Sequence, residues 1–367
     1  MLAVHAHPDD ETLTTGALLA AFAAAGLPAC VVTCTRGERG EVIALPGTTS
    51  EGRAGLEGDG PALGAYRETE LAAALAQLGG GVEGAVEHAF LDALPLPGPR
   101  VSRSKHVPDA SGGVRYEDSG MTWVAPGVAG PAPDSPPTAF ARVPLDEPAG
   151  RLAALVRARR PAVVATYEPG GGYGHPDHVR SHMVAVRALE LAADPAWRPG
   201  DEGAPAGEGA PDPVVGRWDE PWAGAELWQA VAPADELREA RATLAALPEA
   251  TGLAAAEALT FPDPTAPLPP LAKPDLSAWS ADGQVIGSSS GRSPDVLPIT
   301  RSGRVVRVGV AGIVGRVVAG LRAHASQVQH ATVLTRPEGT VAGWYALSNG
   351  VLAPILTFET YLVGPAG

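Results

Sequence analysis

The first 35 residues constrain the fold of this chain most, because their hydrophobic period changes twice. Residues 2–6 form a short apolar run typical of a buried strand. From Thr12 the apolar residues recur at helical spacing until Gly26, a typical helix stop. Residues 29–35 form a second short run containing several β-branched residues. A strand, a helix and a strand so close together predict a right-handed βαβ unit and therefore a parallel sheet.

The same alternation continues along the chain. Helical patterns and short apolar runs follow at residues 66–78, 87–91, 146–160, 161–167 and 179–192. The length of 367 residues, with 45% apolar side chains, is enough to bury a sizeable core. The sequence therefore predicts an α/β protein built on a mostly parallel sheet.

Two short motifs follow predicted strands. Residues 7–11 read His-Pro-Asp-Asp-Glu after the first strand, and residues 175–178 read His-Pro-Asp-His after the strand at 161–167. An open α/β sheet binds its ligand outside the carboxyl ends of its strands, so the two motifs should meet there. Each motif alone could be a turn or an acidic helix cap. Together they favour a metal site.

The residue types divide the chemistry between the motifs. Two imidazoles and a carboxylate with an open position for water are typical of a catalytic metal, which makes His7, Asp10 and His178 candidate ligands. Neighbouring residues in a non-helical turn point in different directions, so Asp9 is the candidate general base. A bound metal lowers the pKa of water, and a weakly basic carboxylate is then sufficient.

Three further residues are candidate catalytic groups. His175 can share a helix face with His178, and we expect it to stabilise an oxyanion and to protonate the leaving group. Asp177 could hold one of these two rings in its tautomer. Tyr173 lies in a glycine-rich stretch and is a candidate hydrogen-bond donor to the oxyanion.

Composition argues against several other classes of protein. The net charge of −14 is unfavourable for nucleic acid. Cys30 and Cys34 are too few for a disulfide framework and fit a reducing compartment. The chain shows neither a signal-peptide pattern nor an apolar run of about 18 residues. We therefore expect a cytoplasmic protein with no nucleic-acid partner and no membrane partner, and the sequence predicts no particular oligomeric state.

The two motifs resemble those of the PIG-L/LmbE-like family of metal-dependent N-acetylglucosamine deacetylases. The resemblance continues in shorter phrases at residues 32–42, 66–67, 118–121, 173–174, 324–328 and 347–349. Within the family these phrases are most similar to the mycothiol-pathway branch, which acts on N-acetylglucosaminyl-inositol.

The resemblance implies a Rossmann-like fold with helices on both faces of the sheet. It also implies Zn2+, or Fe2+, on the His/Asp/His set, and a small amino-sugar substrate. On matching positions, Glu41, Arg67 and Asp118 become contacts to sugar and inositol hydroxyls. Carboxylates and a guanidinium suit vicinal hydroxyls, although each residue taken alone could be a solvated loop charge.

Other functions stay open at this point. The mycothiol S-conjugate amidases of the same family carry a lysine soon after the first motif, whereas residues 12–16 contain none, which favours a deacetylase. Another N-acetylglucosamine deacetylase of the family is a further alternative. A non-catalytic sugar-binding protein with a structural metal is the alternative of another class, but it would have no need for a spare carboxylate and a spare imidazole.

Glycine and proline, 45 and 37 in number, are concentrated in a few segments and suggest how the chain is divided. We expect residues 1–198 to form a Rossmann-like catalytic domain that carries both motifs. Residues 199–304 should be Gly/Pro-rich insertions with a strand and a helix. Residues 305–367 should form a C-terminal subdomain that completes the substrate cleft.

Overall fold

The computed structural model describes most of the chain. The described residues are 1–94, 115–125, 127–198, 220–263, 265–274, 276 and 299–364. Within the segment predicted to hold Gly/Pro-rich insertions, 199–304, residues 199–219 and 277–298 lie outside the described ranges. No helix within the described ranges has both the length and the apolarity that a membrane crossing requires.

Strands and helices alternate through the first half of the chain, as the sequence predicts. The strands are β1 (Leu2–His5), β2 (Cys30–Thr33), β3 (Glu87–Phe90), β4 (Met121–Ala125), β5 (Val128–Pro131), β6 (Val163–Tyr167), β7 (Glu226–Pro233), β8 (Ala272–Lys273), β9 (Ile299–Ser302), β10 (Val305–Gly309), β11 (Gln329–Glu338), β12 (Val341–Ala346), β13 (Leu352–Leu356) and β14 (Phe358–Gly364). The α-helices are α1 (Asp10–Ala24), α2 (Gly60–Leu78), α3 (Asp146–Arg159), α4 (Gly171–Gly174), α5 (Pro176–Ala193), α6 (Ala234–Ala246), α7 (Pro248–Glu257) and α8 (Val314–Ala323).

The central sheet is mostly parallel in the half that carries the motifs. Its strand order is β3-β2-β1-β6-β7-β14-β10-β9, with β8 paired to β7. Strands β3, β2, β1, β6 and β7 run parallel, whereas β14, β10 and β9 add antiparallel pairs. The chain moves from β1 to β2 and β3 on one side and returns to β6 on the other. The crevice between the ends of β1 and β6 is therefore a topological switch point, where such sheets bind ligands.

Helices cover both faces of this sheet. Leu2 and Val4 of β1 belong to an apolar cluster with Leu152 of α3 and Val184 of α5. Ala3 belongs to a different cluster, formed with α1 and α2. Successive strand residues point to opposite faces, so this division places α3 and α5 on one face and α1 and α2 on the other. The predicted α/β fold with helices on both faces is confirmed.

A second sheet, with strand order β11-β12-β13, packs on α6 and α7. Its strands lie within residues 305–367, the segment that is predicted to form a C-terminal subdomain. The central sheet takes strands from each of the three predicted segments, for example β6, β7 and β14, and the boundaries at 198 and 304 stay predictions.

The structure adds elements that the pattern did not predict. Helix α2 begins at Gly60 rather than at residue 66, because the Asp59 side chain caps it by accepting from the Ala62 N–H at 3.2 Å. Helix α7 is alanine-rich and lacks a clear apolar stripe, so its period is weak. The hairpin of β4 and β5 lies within residues 95–137, a stretch whose Gly/Pro-rich sequence predicts a loop.

Helix α1, which carries the first motif, is interrupted and capped a second time within its length. Thr15 has non-helical dihedral angles (φ −133°, ψ 16°). Just beyond it, the Ala17 and Leu18 N–H groups donate to the Glu359 carboxylate at 2.6 and 2.9 Å. The Tyr361 hydroxyl donates to the same carboxylate at 2.8 Å. Glu359 of β14 thus acts as a cap for the second half of α1 and anchors this helix to the sheet.

We predict that Glu359 makes folding stability depend on pH. Burial raises the pKa of Glu359 from 4.5 to about 7, although the hydrogen bonds from Ala17, Tyr361 and Leu18 oppose the shift. The folded chain therefore binds this proton more tightly than the unfolded chain. The resulting stability is fully present below about pH 4.5 and is lost as the pH rises through 7.

Relative to Glu359→Gln, the wild type should lose at most about 3 kcal/mol of unfolding free energy between these two pH values. Urea unfolding of both proteins at a series of pH values measures this difference. A difference that stays constant with pH would contradict the prediction, because it would show that folding leaves the pKa of Glu359 unchanged.

Candidate active site

The structure brings the two motifs together at the switch point. The ring centroids of His7 and His175 are 4.7 Å apart, those of His7 and His178 are 5.4 Å apart, and those of His175 and His178 are 4.9 Å apart. All three rings are buried. Residues that are far apart in sequence therefore form one cluster, because β1 and β6 are adjacent parallel strands.

Asp10 lies between two of these rings. Its Oδ2 atom is 3.2 Å from His178 Nε2 and 3.3 Å from His7 Nδ1. The same oxygen accepts the His7 backbone N–H at 3.0 Å. Burial would raise the pKa of Asp10, but the His178 and His7 imidazoles outweigh it and lower this pKa well below its usual value. Asp10 Oδ2 therefore lies within 3.3 Å of one nitrogen of each of the two other predicted ligands.

His178 is oriented by its surroundings. Its Nδ1 lies 3.1 Å from the Gly171 carbonyl, which can only accept, so Nδ1 carries the proton. The ring stacks on Tyr167 with the centroids 4.3 Å apart. Its Nε2 is buried, makes no hydrogen bond among the described residues, and faces the Asp10 carboxylate at 3.2 Å. An imidazole anchored through one nitrogen, with the lone pair of the other nitrogen directed at a carboxylate oxygen, has the arrangement of a metal ligand.

Gly171 is needed for this arrangement. Its φ is +65°, and a Cβ atom there would lie 2.6 Å from the Val179 backbone nitrogen. A side chain at this position would push the loop away from α5 and would remove the carbonyl that orients His178.

Asp177 orients the ring of His7, the histidine of the first motif. Its Oδ2 atom is 3.3 Å from His7 Nε2 and accepts the Ser119 N–H at 2.8 Å. The Ser119 hydroxyl donates to the other carboxylate oxygen. Sequence analysis expected this carboxylate to hold His175 or His178. Adjacent residues on a helix point about 100° apart, so the side chain turns towards His7 instead.

His175 has the tautomer of a hydrogen-bond donor. Its Nδ1 accepts the Asp177 backbone N–H at 3.2 Å, which leaves the proton of the neutral ring on Nε2. Burial and the neighbouring His7 and His178 lower the pKa of His175 well below its usual value. Neutral His175 therefore offers an N–H group to the site.

Asp9 is held in an unusual backbone conformation. Its φ is 102°, which is uncommon for a residue other than glycine, and its carbonyl accepts the first N–H groups of α1. Arg67 Nη2 lies 3.3 Å from Asp9 Oδ2. Burial raises the pKa of Asp9 to about 7; Arg67 opposes this rise and the Asp10 charge adds to it. The backbone of Asp9 thus separates its carboxylate from that of Asp10.

The three residues expected to contact substrate differ in exposure. Glu41 is exposed. Arg67 is buried and donates to the carbonyls of Pro8 and Gly37. Asp118 is also buried, with one oxygen 3.6 Å from His7 Nε2. The side chains of Arg67 and Asp118 therefore already contact other residues of the protein at the site.

Tyr173 lies between the histidines and the hairpin of β4 and β5. Its ring centroid is 5.0 Å from that of His178, 6.1 Å from that of His175 and 5.8 Å from that of Trp123. Trp123 is 49% exposed, so the aromatic pair lies where the cluster approaches solvent. Sequence analysis did not identify Trp123, because the hairpin carries no strong period.

Sequence analysis also missed two groups that support the site, Tyr167 and Ser119. Tyr167 is the last residue of β6, and its hydroxyl oxygen accepts the Ala6 N–H at 3.0 Å. Its place at the end of the strand that precedes the second motif was the available signal. Ser119 lies inside a phrase that carries the family resemblance, but its role as a partner of Asp177 is visible only in three dimensions.

The side chains in the cluster suit a cation. Two sets of three buried groups place their ligand atoms within 4.8 Å of one another; they are His7, His175 and His178, and His7, Asp118 and Asp177. The carboxylates of Asp118, Asp10 and Asp177 overcome burial and raise the pKa of His7 well above its usual value. A bound cation would balance this buried negative charge.

The fold and the site together define an α/β protein with a candidate metal centre at the switch point of its sheet. The model of the family described as PIG-L, GlcNAc-PI de-N-acetylase, matches residues 2–189, which include both motifs. The chain therefore belongs to the PIG-L family.

Relatives extend the similarity over the whole chain. A protein of Kineococcus radiotolerans is 37% identical over 98% of this chain and 76% of its own length. One of Rhodococcus erythropolis is 32% identical over 100% of this chain and 93% of its own. Both are named 1D-myo-inositol 2-acetamido-2-deoxy-alpha-D-glucopyranoside deacetylase. Among solved structures, a deacetylase–teicoplanin complex matches 99% of this chain and 98% of its own at 17% identity with a TM-score of 0.40, which is too low to support an argument.

Proposed function

We propose that this chain is a metal-dependent deacetylase that hydrolyses the N-acetyl group of N-acetylglucosaminyl-inositol. The convergence of His7, Asp10 and His178 beside the separate carboxylate of Asp9 carries the proposal. The names of the full-length relatives support the choice of substrate. Zn2+ is the proposed metal, with Fe2+ as the alternative, because imidazole and carboxylate donors suit both.

The proposed ligand atoms are His7 Nδ1, Asp10 Oδ2 and His178 Nε2. The Gly171 carbonyl faces the other nitrogen of His178, so the proposed ligand nitrogen of that ring keeps a free lone pair. Asp177 faces the other nitrogen of His7 and would orient this ring with Nδ1 towards a metal. His175 is a weaker candidate, because its Nδ1 accepts an N–H and its Nε2 then carries a proton. When bound, the metal would polarise the amide carbonyl and lower the pKa of a water molecule.

Asp9 is the proposed general base, which removes a proton from the attacking water. Its carboxylate lies apart from the ligand oxygen of Asp10, since the two residues differ in backbone conformation. Arg67, at 3.3 Å, fixes one carboxylate oxygen and leaves the other to accept a proton. Geometry of this kind is the first requirement for a general base.

His175 is proposed to donate its Nε2–H to the oxyanion of the tetrahedral intermediate. Sequence analysis also assigned it the protonation of the leaving amine. A neutral ring that gave up its Nε2 proton would become an imidazolate, so the tautomer favours the oxyanion role. The proton that Asp9 has accepted can then pass to the amine, which leaves as the free glucosamine while acetate forms. Tyr173 is proposed as a second donor to the oxyanion.

The substrate contacts are proposed on the same basis. Glu41 is exposed and remains the proposed partner of sugar or inositol hydroxyls. Arg67 and Asp118 are proposed to act mainly through the protein groups that they hold, Asp9 and His7. Trp123 and Tyr173 offer aromatic faces beside the histidines, which suits the apolar face of a pyranose ring.

The ligand assignment predicts different metal contents for two neighbouring histidine variants. His178→Ala removes a proposed ligand and should lower bound metal well below one ion per chain. His175→Ala removes only a hydrogen-bond donor and should keep the metal while kcat falls by about 100-fold. Metal analysis of the purified proteins by mass spectrometry checks both. Equal metal loss in the two variants would show that His175 is a ligand.

The proposed activity predicts acetate release from N-acetylglucosaminyl-inositol by the metal-loaded protein. Free N-acetylglucosamine should react more slowly, because it lacks the inositol whose hydroxyls the site is proposed to bind. A mycothiol S-conjugate tests the amidase alternative in the same assay. The His178→Ala protein serves as the negative control.

Absence of acetate release from every substrate, with metal bound, would contradict the proposed function and favour a binding protein. Faster cleavage of the S-conjugate than of N-acetylglucosaminyl-inositol would instead identify an amidase.

A further inference from the structure

The turn at residues 324–327 joins the C-terminal part of the chain to the first motif. It follows α8 and reads His-Ala-Ser-Gln. His324 Nε2 lies 2.8 Å from Glu11 Oε1, and both side chains are fully buried. Glu11 comes directly after Asp9 and Asp10. The proposed reaction assigns no role to this buried pair.

Glu11 connects the pair to the backbone of Asp9. Its second oxygen, Oε2, accepts the Asp9 N–H at 3.0 Å. Arg67 donates to the Pro8 carbonyl, which is the other end of the same peptide unit. This peptide is therefore held from both sides, by a guanidinium at its oxygen and by a carboxylate at its nitrogen.

The unusual conformation of Asp9 requires support of this kind on both sides of the Pro8–Asp9 peptide. A φ of 102° is sparsely populated by residues with a side chain and persists only where the surroundings over-determine it. Without the Glu11 acceptor, the Asp9 peptide could rotate towards an ordinary conformation. That rotation would carry the carboxylate away from its position beside Arg67.

Glu11 in turn depends on His324. A carboxylate that is completely buried is costly unless it is paired and hydrogen-bonded. Thr12 donates its hydroxyl to one Glu11 oxygen, and the His324 imidazole lies 2.8 Å from the same oxygen. His324 therefore determines whether Glu11 stays in place as the acceptor for Asp9.

We propose that His324, acting through Glu11, is a positioning residue for the general base Asp9. The proposal rests on the role of Asp9 given above. Among the described residues, the side chains of His324 and Glu11 make no hydrogen bond to His7, Asp10 or His178; their effect is to hold the Pro8–Asp9 peptide in its unusual conformation.

The same turn provides a matched control. Gln327 Nε2 donates to the Glu41 backbone carbonyl at 3.0 Å, so it supports the loop that carries a proposed substrate contact. Gln327→Ala loosens that loop and leaves the His324–Glu11 pair intact. The two neighbouring residues should therefore affect different kinetic constants, KM for Gln327 and kcat for His324.

The experiment compares His324→Leu, His324→Gln and Gln327→Ala in the acetate-release assay with N-acetylglucosaminyl-inositol. We expect His324→Leu to lower kcat by about 10- to 100-fold at unchanged KM and unchanged metal content. His324→Gln can still donate an amide N–H to Glu11 and should recover part of this loss. Gln327→Ala should raise KM with little change in kcat.

A purely structural role predicts otherwise. In that case the His324 variants would lower the melting temperature, yet kcat per folded, metal-loaded protein would equal that of the wild type, and the proposal would be overturned. If His324→Leu does not fold, His324→Gln and Gln327→Ala are compared instead. The proposal then requires that His324→Gln lowers kcat and that Gln327→Ala raises KM. An inactive wild type would overturn the proposed function itself and, with it, this inference.

Discussion

The turn between β1 and α1 is the constraint on which the site depends. The chain must leave a buried parallel strand and start a helix within a few residues, and Asp9 meets this demand with a φ of 102°. As a result, Asp10 points towards His7 and His178, whereas Asp9 faces Arg67. Two adjacent and chemically identical side chains thereby acquire different surroundings. The proposed division between metal binding and proton transfer follows from that turn.

The remaining parts of the site hold this arrangement from several elements of the fold. The second motif starts α5, where Asp177 reaches His7 and the Gly171 carbonyl orients His178. Helix α2 contributes Arg67, and the turn after α8 contributes His324. Except for the Gly171–His178 contact, these contacts join segments that are distant in sequence. The parallel pairing of β1 and β6 brings the histidines together, and these non-covalent contacts set the orientation of the side chains.

Much of the fold could be predicted because its signals are local. The change of period between β1 and α1, and the apolar runs of β2 and β6, are readable without tertiary information. The meeting of the two motifs was also predictable, because carboxyl ends of parallel strands share one edge of a sheet. The orientation of the Asp177 side chain was not predictable, since it depends on which ring lies within reach. The Glu11–His324 pair joins residues that are 313 positions apart and has no local signal.

The central claim is that Asp9 transfers the proton and Asp10 holds the metal. Measuring kcat and metal content for Asp9→Asn and Asp10→Asn tests it most directly, because each change removes one charge and keeps the shape of the side chain. We expect Asp9→Asn to keep its metal and lose about 100- to 10,000-fold in kcat, and Asp10→Asn to lose the metal. Loss of metal from Asp9→Asn, or wild-type turnover in that variant, would contradict the division of roles.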